Sequence, residues 1–189
     1  MKKILQKEEK VLRIRASEVL IRDIKTTKIK KILKEMSSAL NGQHDGVAIA
    51  APQIGYSLRI FLVSGKIFEE NFAENRLEKI ENKLLGTSEK GVGQKKKTRI
   101  KDLVFINPKI SKLSREKEWV PEGCLSVRWL YGKTHRSKKA ILSAYDEEGK
   151  KFTRGASGLL AQIFQHETDH LNGILFIDHA KEIKEEPPK

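Results

Sequence analysis

The sequence predicts a small mixed fold in which amphipathic helices pack on antiparallel strands, and three observations carry that expectation. The chain has 189 residues, enough for one domain with its own core and short for two. Only 38% of the residues are apolar while 33% are charged, so the core must be compact and the surface heavily solvated. Apolar residues recur at helical spacing in some segments and gather into short β-branched runs in others.

Residues 1–10 are charged throughout and hold no apolar stretch of the secretory kind, so secretion is not expected. Residues 27–40 place Ile29, Ile32, Leu33, Met36 and Leu40 on one face with lysines between them and Gly42 beyond, which predicts an amphipathic helix against the core. Residues 59–63, 103–106 and 140–145 read as strands, the last turning through Glu148 and Gly149 into 151–153 as a hairpin. Residues 68–85 carry Phe68, Phe72, Leu77, Ile80 and Leu84 and predict a second helix ending near Gly86. Residues 87–101, with two glycines and the run Lys95, Lys96, Lys97, read as a mobile basic loop. A third helix is marked by Ser157 as its cap, by the apolar Leu159, Leu160, Ile163, Phe164 and Leu171, and by Gly173 as its stop. The charged residues 181–189, with two prolines, are expected to fray as a flexible tail. There is no internal repeat, and the whole chain reads as a single domain.

The net charge of +13, from 38 Lys and Arg against 25 Asp and Glu, favours phosphate-rich partners such as ribosomal RNA, or serves solubility alone; both readings stay open. Cys124 is the sole cysteine, which excludes an intramolecular disulfide and points to the cytosol. No apolar run is long enough to cross a bilayer, so no membrane role is expected.

Chemistry concentrates in the third helix. His166, Glu167, Thr168, Asp169 and His170 form an HExxH pattern whose i,i+4 spacing stacks two imidazoles on one face, where they can hold one metal ion. Glu167, beside the first of them, can reach a metal-bound water rather than the metal, as a general base does. Cys124, in Pro-Glu-Gly-Cys-Leu-Ser from Pro121, is the candidate third ligand. A thiolate and two imidazoles make a tetrahedral site with one open position, whereas the plain alternative is a small buried hydrophobe. The small residues from Gly46 to Gly55 bring Gln53 to the end of a tightly packed run. Its amide can donate to a developing oxyanion, or the run can be a packing junction.

Taken together and in this order, GVAIAAPQ from Gly46, EGCLS from Glu122 and QHETDH from Gln165 closely resemble the three signature motifs of the peptide deformylase family. FINP from Phe105, GLLA from Gly158 and HLNG from His170 extend the likeness over most of residues 10–180. The resemblance implies an α+β fold with antiparallel β-sheets around a central metal-binding helix. It implies a hydrolase that removes the N-formyl group from the N-terminal formylmethionine of nascent polypeptides and releases formate, with metal-bound water as nucleophile and Glu167 as general acid/base. By the same resemblance Cys124, His166 and His170 are the metal ligands, and the Gln53 amide and the Leu125 N–H stabilise the oxyanion. Val47, Leu159, Gln162 and Ile163, with His166, border the methionine pocket. Backbone around Ala48 and Ile49 pairs with the peptide as an added strand, and Gly46 and Gly123 count among the substrate-binding positions. The cofactor implied is one divalent ion, usually Fe(2+), replaceable by Zn(2+), Ni(2+) or Co(2+); the ligand set does not distinguish them, and a thiolate on ferrous iron is open to oxidation. The expected setting is a cytoplasmic monomer that meets nascent formylmethionyl peptides and touches the ribosome through its basic surface.

Some residues depart from the family text. Ala48 stands where a glycine is usual and adds a methyl near the substrate path. Thr168 replaces the usual apolar residue inside HExDH, a change expected to be tolerated, with activity kept, if it faces away from the metal. Residues 66–101 are longer than usual and read as an insertion that serves as an edge feature, a lid or a ribosome contact. The long C-terminal helix of many bacterial members is not expected after residue 180. Two rivals are weighed. An HExxH peptidase would take His or a carboxylate as third ligand where this chain offers Cys124. A basic RNA-binding module with a structural metal would need a fourth protein ligand, for which His135 is the nearby contender, though it is expected at the surface or on the substrate side.

Overall fold

The computed structural model describes residues 2–69, 72 and 100–187. Helix α1 spans Thr27–Asn41. Strands β1 (Ala48–Ala50), β2 (Ile60–Val63), β3 (Leu103–Leu113), β4 (Lys117–Gly123), β5 (Leu130–Ser137), β6 (Lys139–Tyr145) and β7 (Lys151–Ser157) follow, then helix α2 (Gly158–Leu171) and strand β8 (Lys181–Glu185). The strands form a five-stranded sheet in the order β1-β2-β3-β6-β7 and a three-stranded sheet in the order β4-β5-β8. Every pairing is antiparallel, so the α+β class expected from the sequence is the one observed.

Alternation along the first two strands explains how the five-stranded sheet binds a helix on each face. Ile49, Ile60, Leu62 and Ile106 turn toward Ile29, Ile32, Met36 and Leu40 of α1. Ala48, Ala50, Phe61, Val63 and Phe105 turn the other way, toward Ala161, Ile163, Phe164 and Leu171 of α2. Phe61 stacks on Phe105 with ring centroids 4.5 Å apart, and Phe164 meets Phe105 edge-on at 5.2 Å. Because both faces are covered, β1 and β2 read as unbroken apolar runs rather than as alternating ones.

Strand β3 runs on past the expected 103–106. Asn107, at φ 51, and Pro108 make a register shift rather than an end. The Asn107 side chain accepts from Val19 N–H at 2.8 Å and donates to Val19 C=O at 2.7 Å, standing in for a neighbouring strand. Strands β4 and β5 lack an apolar alternation because their outer face meets water, with Trp119 45% exposed. The fraying expected for 181–189 is corrected for Lys181–Glu185, which pair with β5 from Lys133↔Lys181 to Leu130↔Glu185. Backbone pairing needs no apolar side chain, and a charged edge strand is a common device. Of the helix expected over 68–85, Phe68 closes a short 3-10 turn; of the residues beyond it only 69 and 72 are described. Residues 87–99 of the expected basic loop and most of the 66–101 insertion likewise lie outside the described residues.

Strand β7 passes into α2 without a loop. Ser157 is extended and still paired with Lys139, so its side chain makes no capping bond, contrary to the role expected for it. Gly158, at φ 55, makes the bend. The C-terminal end of α2 is tied down by Arg59, whose Nη1 donates to Leu171 C=O at 3.1 Å and to Asn172 Oδ1 at 3.0 Å. Ala16 N–H donates to the same Leu171 carbonyl at 2.9 Å. Gly173 then leaves the helix at φ 77, and an added Cβ there would lie 2.8 Å from the Arg13 backbone.

Two alanine substitutions separate these causes. Gly149→Ala, at φ 76 with nothing within 4 Å, is expected to lose only the left-handed backbone cost of about 1–2 kcal/mol. Gly173→Ala is expected to lose measurably more in urea unfolding, because the chain at Arg13 must also move.

Candidate metal centre

Helix α2 presents His166 and His170 one turn apart, with ring centroids 4.8 Å apart and planes at 77°. The turn after β4 brings Cys124 to them, and its Sγ lies 3.1 Å from His170 Nε2. Ligand atoms of Cys124, His166 and His170 all lie within 4.8 Å of one another, the only such group of three or more among the described residues. The two histidines and the cysteine named from the sequence are therefore brought together, and His135 is not. It stacks on Trp119 at 5.0 Å on the outer face of the three-stranded sheet.

Glu122, two residues before Cys124, holds the arrangement. Its Oε1 lies 2.5 Å from His166 Nδ1, which leaves Nε2 as the nitrogen free for a metal. Arg136 donates to Oε1 from Nη2 at 2.7 Å and to Oε2 from Nε at 3.1 Å, while Thr134 Oγ1 donates to Oε2. Strand pairing makes this possible: Glu122 lies opposite Gly132, so Thr134 and Arg136 follow on the same face. Arg136 also donates from Nη1 to Asp169 Oδ2 at 2.6 Å, joining β5 to α2. Burial opposes ionisation of Glu122, but His166 and Arg136 overcome it and hold the carboxyl well below its ordinary range.

The two imidazoles differ. Burial works against a charge on His166, yet its hydrogen bonds to Cys124 and Glu122 raise its pKa above the ordinary value. Burial and the neighbouring His166 push His170 well below it, so His170 is neutral. A metal needs neutral imidazole and thiolate, so binding one would release protons. Glu167 is 3% exposed, and burial pushes its carboxyl up to about 7 against the pull of His166. Its Oε2 has no hydrogen-bond partner among the described residues, nor has His170 Nδ1. A soft sulfur and two nitrogens, beside a buried carboxylate oxygen that lacks a partner, fit one divalent ion with an exchangeable water.

Gln53 lies in the 3-10 turn Ala51–Ile54. Its Oε1 accepts from Ala50 N–H at 2.7 Å, which orients the amide so that Nε2 donates to Ser126 Oγ at 3.1 Å and faces Cys124 Sγ at 3.6 Å. Leu125 is buried beside α1. A Cβ on Gly46 would lie 3.2 Å from Leu125 Cδ1, so glycine lets the entry to β1 approach the Cys124 turn. Gly123 is exposed, with the Tyr131 ring 2.7 Å from where its Cβ would be. Val47, Ala48, Leu159 and Ile163 share the α2 side of the core. The Ala48 methyl is thus in the core, at 6% exposure, while the Ile49 side chain goes to the opposite face. Gln162 donates from Nε2 to Pro121 C=O at 2.9 Å and ties α2 to β4. Thr168 is half-buried, with its hydroxyl unpartnered among the described residues.

The anchoring residues Thr134 and Arg136, and the role of Glu122, were not evident in the sequence. Glu122 stands inside EGCLS and was within reach of inspection; Arg136 is far along the chain from its partners and carries no local signal.

Comparison with known proteins gives a consistent result. The sequence profile described as polypeptide deformylase matches residues 1–186. Peptide deformylase 2 of Clostridium acetobutylicum is 34% identical over 96% of this chain and 97% of its own length. The peptide deformylase of Borreliella burgdorferi is 39% identical over 72% of this chain, and the match spans 64% of that relative's length. Among solved structures, the Met-Ala-Ser-bound class I type b peptide deformylase of Acinetobacter baumannii superposes with a TM-score of 0.73 at 25% identity, covering 95% of this chain and 98% of that one.

Replacing Glu122 with Gln would remove the charge that orients His166 and balances Arg136. Zinc affinity, measured by chelator competition, is expected to fall about 10–100-fold.

Proposed function

Because the chain belongs to the polypeptide deformylase family, we propose that it is a metal-dependent hydrolase that removes the formyl group from the N-terminal formylmethionine of nascent polypeptides and releases formate. The observation that carries this reading is the group formed by Cys124, His166 and His170 together with the buried carboxylate of Glu167, whose Oε2 has no partner among the described residues. The Met-Ala-Ser peptide bound by the Acinetobacter relative supports the substrate class.

In this reading Cys124, His166 and His170 hold the ion, ferrous iron first and zinc, nickel or cobalt as replacements. A divalent ion held there lowers the pKa of a coordinated water and so supplies a nucleophile near neutral pH. Glu167 would take a proton from the attacking water as its oxygen bonds to the formyl carbon, and would return it to the methionine amine as the C–N bond breaks, so the carboxylate is restored when formate leaves. The Gln53 amide and the Leu125 N–H share the negative charge that grows on the formyl oxygen. Val47, Leu159, Gln162 and Ile163, with His166, border the methionine side chain. The peptide pairs with backbone at Ala48 and Ile49, between the edges marked by Gly46 and Gly123.

The net charge of +13 supports transient contact with ribosomal RNA in the cytoplasm, with the chain acting as a monomer. Among the described residues no helix is long and apolar enough to cross a membrane.

Protein purified anaerobically with Fe(II) is expected to release formate from formyl-Met-Ala-Ser, and Glu167→Ala is expected to keep its metal and lose activity by about 10²–10⁴. Metal-loaded, folded wild type that releases no formate would overturn the reading. Gln53→Ala is expected to lower kcat by about 10²–10³ with little change in KM, as loss of an oxyanion donor does.

A further inference from the structure

The stretch Ile4, Leu5, Gln6 lies across both segments assigned the charge-stabilising donors, and no step above uses it. Leu5 N–H donates to the Gln53 carbonyl at 2.8 Å. Gln6 Nε2 donates to the Leu125 carbonyl at 3.1 Å, and Gln6 Oε1 accepts from Arg128 N–H at 3.3 Å. The stretch is itself anchored on either side. Ile4 packs against the core shared with α1, and Leu5 packs against the small cluster of Leu12, Val127, Leu175 and Phe176.

One half-buried amide thus uses its donor and its acceptor on the same turn, the one that carries Cys124 and Leu125. An apolar residue would fill that space equally well, but it would not anchor the Leu125 carbonyl, in the peptide unit next to the one that carries the Leu125 N–H. The turn is also held by Val127 N–H donating to Cys124 C=O at 3.1 Å, by Ser126 N–H donating to Cys124 Sγ at 3.4 Å and by the Gln53 amide on Ser126 Oγ, while the Leu125 carbonyl is taken by Gln6. The restraint continues to the segment before β1. The Arg128 guanidinium donates to Asp45 at 2.6 and 3.2 Å and to Gln43 Oε1 at 2.9 Å, just ahead of Gly46.

We infer that Gln6 is a positioning residue for deformylation. Together with Leu5 N–H it fixes the Leu125 and Gln53 segments so that their two donors converge on one oxyanion. The inference rests on the deformylase reading. Its physical basis is that donors aimed at a developing charge are useful only when held in place, and a misplacement of about 1 Å can cost on the order of 10²-fold in rate.

The test compares wild type with Gln6→Ala and with Gln6→Glu, which keeps the side chain's volume but sets a carboxylate oxygen against the Leu125 carbonyl. Each metal-loaded protein is measured for kcat and KM on formyl-Met-Ala-Ser, metal content, thermal stability and backbone hydrogen exchange. Both variants are expected to lose about tenfold in kcat with KM within twofold. Metal content should be unchanged, and exchange should be faster only around residues 50–55 and 124–128. Absence of formate release from wild type would remove the deformylase reading itself. Wild-type turnover with unchanged kcat in both variants, or with a change in KM alone, would overturn the role of Gln6. Parallel loss of metal and thermal stability in both would make Gln6 a general support of the fold and overturn it as well.

Discussion

A single buried carboxylate, Glu122, is the interaction on which the candidate site depends. An isolated buried charge is costly, and this one is tolerated because Arg136, Thr134 and His166 all converge on it. The same contacts set the chemistry. Holding His166 by Nδ1 fixes the ring and its tautomer, so the other nitrogen turns toward Cys124 and His170. Arg136 then reaches Asp169, one residue before His170, so β4, β5 and α2 are joined through one ion network.

The rest of the fold supplies the platform for that network. The five-stranded sheet is gripped by α1 on one face and α2 on the other, and the exit of its first strand carries Gln53. The three-stranded sheet contributes Cys124 at the end of β4. The site forms where the two sheets meet across α2, and Arg59 and Gly173 fix where that helix stops. The two histidines thus stand on a rigid helix, while a turn braced from several sides carries the cysteine.

Much of this was legible in the sequence where the signal is local. The i,i+4 histidines, the apolar stripe of α1 and the runs at β2 and β6 all depend on neighbours within a few residues. What escaped depends on distant pairing. Strands β4, β5 and β8 are held by backbone bonds and present charged or aromatic residues to water, so no alternation marks them. Ser157 was expected to cap α2 by residue type, but the strand before it claims its backbone. Gln6 and Leu125 are separated by 119 positions, and nothing near either residue announces the other. The Ala48 methyl packs on the α2 side of the core, with Val47, Leu159 and Ile163, because of the strand's alternation.

The central claim is that Cys124, His166 and His170, organised by Glu122, hold one metal ion and leave it open to water. X-ray absorption at the zinc edge of stoichiometrically loaded protein tests this most directly. The account requires one sulfur at about 2.3 Å, two imidazole nitrogens at about 2.0–2.1 Å and one further light-atom ligand that exchanges with added small anions. A spectrum without a sulfur ligand, or one with four protein ligands and no exchangeable position, would contradict it.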